Sequence, residues 1–184
     1  MTQRILVDTY TEPGYEPIPS IRLSDEEYAR SLQRFIGDCT DVVIIPKDKK
    51  VFLLAQRIVK PLQGWWWIGG GRIAGQTKSE AARANFRREA GLDLPEERFK
   101  LHASFEYLWK DRQQEPRDIG CHMVGWTHSV ELTDEELRQM AEKGVDPKEY
   151  DAALGLQRFD RRRILSTPDL HPNIILLFDE IFPR

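Results

Sequence analysis

The densest chemistry in the chain lies in the run Gly64 to Gln76, which reads Gly-Trp-Trp-Trp-Ile-Gly-Gly-Gly-Arg-Ile-Ala-Gly-Gln, and in the helix-forming stretch behind it. Gly69, Gly70 and Gly71 allow the backbone to turn tightly and to come close to a ligand. The tryptophans ahead of them sit on a strand, where side chains alternate faces. One of them, with Trp65 the candidate, is therefore free to stack on a base or sugar ring while the others fill the core. Further on, Asn85, Arg88 and Glu89 share one helical face through i+3 and i+4 spacing. Three carboxylates there would converge on one cation. An amide, a guanidinium and one carboxylate do not supply the all-oxygen ligand set that a hard divalent ion takes, and Arg88 repels such an ion. A guanidinium in that place can instead neutralise phosphate charge itself.

The elements that must hold these residues are legible in pattern. Thr77 to Ala90 reads as a helix with Ala81, Ala82 and Phe86 on its packing side, and Gly91 is the left-handed residue that stops it. Ser24 to Glu27 and Thr133 to Glu136 are capping boxes, each opening a further helix. The first is continued at helical spacing by Tyr28, Leu32, Phe35 and Ile36, and the second runs to about Lys143. Asp41 to Ile45 and Val51 to Ala55 are apolar runs joined by a polar turn, a hairpin signature. Strands are expected at 65–68, 100–109, 121–129 and 156–159. Arg161 to Arg163 reads as a solvated helix start, and a final helix is expected over 169–182. Strands and helices in this order predict a sheet between helices. Residues 1–22, with Pro13, Gly14, Pro17 and Pro19, read as a short strand and an extended arm suited to helping form a homodimer; residues 23–184 read as one domain.

Composition narrows the function classes. A formal charge of −3 over 184 residues gives no basic field for nucleic acid. No apolar run approaches a membrane span, and no signal pattern opens the chain, so a cytoplasmic protein is expected. Cys39 and Cys121, the two cysteines, form no ligand pair and read as reduced thiols.

The segment Ala81 to Leu94 resembles the helix half of the Nudix hydrolase box. In that register Ala84 takes the place of the box arginine, and Asn85 and Arg88 take the places of two glutamates. Glu89 keeps the last glutamate, and Gln76 replaces the one after the loop. The passage Gln56 to Arg72 is similar to the branch containing GDP-mannose mannosyl hydrolases, which keep one principal metal ion. The resemblance implies an α/β fold, a Nudix-type α/β/α sandwich with a mixed sheet, and a hydrolase acting on a nucleoside diphosphate linked to a sugar or similar moiety. It implies that Arg57 and Arg72 hold the diphosphate at the Gly70–Gly71 turn, with Glu89 anchoring one Mg2+ or Mn2+. The general base would come from a loop holding Glu149, Tyr150 and Asp151. The alternative is a catalytically inactive Nudix-fold protein binding a nucleotide or a protein partner, with Arg88 in place of magnesium. The hydrolase assignment requires Arg57, Arg72 and Glu89 to meet around one cavity.

Overall fold

The computed structural model describes residues 9–21 and 23–183. Part of the strand expected in the N-terminal arm lies outside them, and 9–21 form no strand. The first capping box opens α1 (Asp25–Arg34), with Ser24 and Glu27 satisfying each other's backbone N–H groups. Such a cap is worth about 1 kcal/mol. The helix stops at Arg34, and Phe35 and Ile36, expected to extend it, are extended or exposed residues leading into the first strand.

Among the described residues, seven strands follow: β1 (Gly37–Pro46), β2 (Phe52–Arg57), β3 (Gly64–Trp66), β4 (Ile68–Gly71), β5 (Lys100–Trp109), β6 (Cys121–Leu132) and β7 (Leu156–Phe159). The sheet runs β3-β2-β1-β6-β5, with β4 also on β1 and β7 also on β2. β1 and β6 are parallel and the other pairs antiparallel, so the sheet is mixed. The remaining helices are α2 (Lys78–Ala90), α3 (Asp134–Lys143), α4 (Arg161–Ser166) and α5 (Pro172–Ile181). Thr77 and Glu80 cap α2, and Gly91 closes it at φ 75°. No described helix is long and apolar enough to cross a membrane.

Strand β1 shows why the sheet is covered on both sides. Val42 and Ile44 pack into one buried layer with Ala82, Phe86 and Ala90 of α2. Val43 and Ile45, on the alternate positions, join Phe52, Leu54, Ile174, Leu177 and Phe178 on the α5 side. This is the expected α/β/α sandwich.

One local expectation does not hold. The strand over 65–68 is broken at Trp67, because β3 pairs with β2 while β4 pairs with β1. The break cancels the alternation of faces. Trp66 and Trp67 lie in the same layer with ring centroids 4.2 Å apart, and Trp65 packs against that layer through Phe159.

Candidate functional site

A cavity of about 330 Å³ opens at the end of the sheet where β1 and β6 begin and β2 and β5 end. That size falls at the lower end of small-molecule sites. One side is the glycine turn Gly69–Gly71 with Arg88 above it, and the other is aromatic, formed by Trp66, Trp67, Tyr107 and Trp109. Arg57 enters from the last position of β2. The loop carrying Glu149 and Tyr150 is tied to the same strand end: Ile58 N–H donates to the Glu149 carbonyl and Asp151 N–H to that of Gln56, each at 2.9 Å.

On the α2 side, Asn85, Arg88 and Glu89 form one cluster. Asn85 is buried, and its amide nitrogen donates to Thr40 Oγ1 at 2.8 Å and to the Gly70 carbonyl at 3.0 Å. A carboxylate there could not donate either bond. Asn85 is therefore a staple between helix and turn. Arg88 Nη1 lies 2.7 Å from Glu89 Oε1. This is an ionic contact off the line of an aligned hydrogen bond, since neither Glu89 oxygen has a hydrogen-bond partner. Arg88 Nη2 donates to the Gly69 carbonyl at 3.1 Å, and Glu149 lies 3.7 Å away. The Glu89 side chain is 2% exposed and that of Arg88 is 50% exposed, so the arginine lies over the glutamate. Burial pushes the Glu89 carboxyl up against the pull of Arg88, with Glu149 and Asp146 adding to the rise.

The structure brings Arg57, Gly70, Gly71, Arg88, Glu149 and Tyr150 to the cavity wall; Trp65, Arg72, Glu89 and Asp151 do not line it. Arg72 is drawn away by Asp38 in a two-point pair, Nε to Oδ1 at 2.9 Å and Nη2 to Oδ2 at 2.6 Å. Trp65 lies under Arg163 and against Phe159. The Asp151 carboxylate accepts from Ala153 N–H at 3.0 Å within its own turn. The Tyr150 hydroxyl is buried and raised well above the ordinary phenol range, first by desolvation and then by Glu89. It is a proton donor at neutral pH and not a base. Of Arg57, Arg72 and Glu89, expected around one cavity, only Arg57 reaches its wall.

Two residues of the cavity, Asp41 and Arg112, are not anticipated by the sequence pattern. Asp41 on β1 is 7% exposed and lines the cavity. Room for its carboxylate comes from two glycines on neighbouring strands. A Cβ on Gly69 would fall 2.7 Å from Asp41 Oδ1, and one on Gly125 3.1 Å from Oδ2. Burial lifts the Asp41 carboxyl to about 7, against the opposing influence of the Trp67 indole, Arg57 and the Trp66 indole. Arg57 has a buried Nε without a hydrogen-bond partner. Arg112 is fully buried and donates to the carbonyls of Ala29, Gln114, Glu115 and Pro116. No local periodicity marks these positions; for Arg112, an arginine flanked by polar loop residues reads as solvated.

The donor set does not fit a divalent ion. The Glu89 carboxylate is engaged by Arg88, the Asn85 amide is committed to Thr40 and Gly70, and the guanidinium repels a cation. No group of three or more His, Cys, Asp or Glu among the described residues could hold a metal. The imidazoles make no constellation: His122 pairs with Glu106 at 2.7 Å, and His128 is buried, its ring lowered to about 4 by desolvation.

No family model matches the sequence. Solved structures share the architecture. A MutT protein from Methanosarcina mazei Go1 superposes with a TM-score of 0.58 at 13% identity, covering 84% of this chain and 100% of that one. A MutT NUDIX hydrolase from Burkholderia pseudomallei gives 0.57 at 16% identity, covering 81% and 100%. A mutT/nudix family protein from Listeria innocua gives 0.52 at 18% identity, covering 81% and 94%. The chain has the Nudix hydrolase fold.

Proposed function

We propose that this chain binds an organic diphosphate, of the class of a nucleoside diphosphate linked to a sugar or similar group, and that guanidinium groups take the place of a divalent cation. The observation that supports this reading is the Arg88 cluster: a cation already sits between Glu89, the Gly69 carbonyl and Glu149 at the mouth of the glycine turn. Arg88 is half exposed there, with donors to spare. Arg57 makes no ion pair among the described residues, and its charge faces the same cavity. Two planar guanidinium forks are suited to two neighbouring phosphates. The aromatic side of the cavity would take the apolar faces of the attached group.

Hydrolysis of that ligand is the second reading. It is favoured by Glu149, a carboxylate that lines the cavity 3.7 Å from Arg88 and could accept a proton from water. In this reading Arg57 and Arg88 orient the diphosphate, and Arg88 balances the charge left on the departing phosphate.

Titration calorimetry with a panel of nucleotide sugars, first in EDTA and then in magnesium or manganese, separates the possibilities. Affinity within about twofold in the two buffers, with a loss of about tenfold or more in Arg88→Ala, is the expected result. Binding that requires the cation and disappears in Glu89→Gln overturns the metal-independent reading. Release of sugar or phosphate by the intact chain, abolished in Glu149→Gln, establishes the second reading over simple binding.

A further inference from the structure

Cavity chemistry beyond the diphosphate grip centres on Asp41. This carboxyl is nine-tenths buried, lines the cavity, and makes neither an ion pair nor an aligned hydrogen bond among the described residues. The indoles of Trp66 and Trp67 and the more distant Arg57 charge act on it, with Tyr107 and Cys39 nearby. Trp66 and Trp67 lie on one side, with Tyr107 meeting Trp66 edge-on at 6.0 Å and stacking on Trp109 at 5.1 Å. The indole nitrogen of Trp67 is itself buried without a partner.

A buried carboxylate is retained at a cost unless a charge or hydrogen bonds compensate it. The other buried carboxylate, Glu89, has its guanidinium at 2.7 Å, whereas Asp41 feels the charge of Arg57 without forming an ion pair. Aromatic rings supply the complementary half of a cation site, because their faces attract positive charge and tolerate the loss of water around it. Anion and aromatic surface together lack a cation.

We propose that the Asp41 end of the cavity receives an alkylammonium group, so that the ligand is a diphosphate ester with a positively charged arm. The inference rests on the diphosphate reading: Arg57 and Arg88 take the phosphates, which leaves Asp41 and the aromatic wall for the nitrogen. The positive arm is held by charge against Asp41 and by the rings around it. Gly69 and Gly125 keep the carboxylate seated, since a Cβ on either would crowd its oxygens.

The test compares matched ligands in which only the arm changes: CDP-choline and CDP-ethanolamine against CDP-glycerol, titrated into the full chain in EDTA. The expected result is at least tenfold tighter binding of the two ammonium esters. Asp41→Asn, checked for native circular dichroism, is expected to bring the ratio between CDP-choline and CDP-glycerol towards one. Equal affinity of the three esters for the unmodified chain overturns the inference while leaving the diphosphate reading intact. So does an ammonium preference that survives Asp41→Asn. If none of the three binds, and nucleotide sugars do not bind either, both readings fall together. The comparison of esters on the unmodified chain needs no variant, so a misfolded Asp41→Asn does not remove the test.

Discussion

Two buried carboxylates flank the glycine turn, and they are in opposite electrostatic states. On the α2 side, Glu89 is covered by Arg88 at 2.7 Å. Both residues come from one helix, and the carboxylate has its cation without a ligand. On the other side, Asp41 sits on β1 between Gly69 and Gly125, and burial carries its carboxyl to about 7. The difference shows how one turn can serve two ends of an elongated ligand. A site already supplied with a cation is suited to an anion, and a site without one is suited to a cation.

The comparison can be broken most directly at Asp41. With a folded-state pKa near 7 against an ordinary value of 3.8, the folded chain binds the proton more tightly than the unfolded chain. The stability this group contributes is therefore fully present below about pH 4 and is lost as pH rises through about 7, amounting to at most about 4 kcal/mol. Asp41→Asn is expected to raise the urea midpoint at pH 8 and to have little effect near pH 4. A variant destabilised equally at both values would mean that Asp41 is not a strained acid.

Arg88→Glu is the second test. It places a carboxylate beside Glu89 and Glu149 and removes the cation above them. The chain is expected to lose about 3 kcal/mol in EDTA and to recover part of it in manganese by linked binding. Thermal melts in the two buffers read this out. Indifference to manganese would show that the geometry, and not the guanidinium alone, bars the ion.

The smallest effect is expected at Arg72. Its pair with Asp38 is about a quarter to a third exposed, so Arg72→Ala should cost about 1 kcal/mol or less and leave nucleotide-sugar affinity within about twofold. A loss of affinity comparable to that in Arg88→Ala would return Arg72 to the binding surface.

What the sequence made legible was local. Capping boxes at Ser24 and Thr133 and the left-handed Gly91 act within a few residues, and each stands where the pattern predicts. The order of strands and helices was likewise enough to predict a sheet covered on both faces. The site was less legible because its partners come from distant strands. Asp41 looks like the polar first residue of an apolar strand until Gly69 and Gly125 are brought alongside it by β4 and β6. Arg72 has the residue type for phosphate, but β1 delivers Asp38 to it, and Arg72 N–H also donates to the Asp38 carbonyl at 3.0 Å. Spacing put Arg88 and Glu89 on one helical face, but their direct contact was not readable, since consecutive helical side chains do not ordinarily meet. Burial of the glutamate and the reach of the arginine bring them together.

Arg112 carries a consequence for the start of the chain. One of the four carbonyls that surround its guanidinium is that of Ala29, in α1, while the others belong to the loop on which it sits. The first helix is thus keyed to the cavity rim by a permanently charged group enclosed in the interior. A protease cut that released α1 would leave that charge short of an acceptor and open to water. Shortening the chain from its front should therefore loosen the far wall of the pocket before it disturbs the sheet.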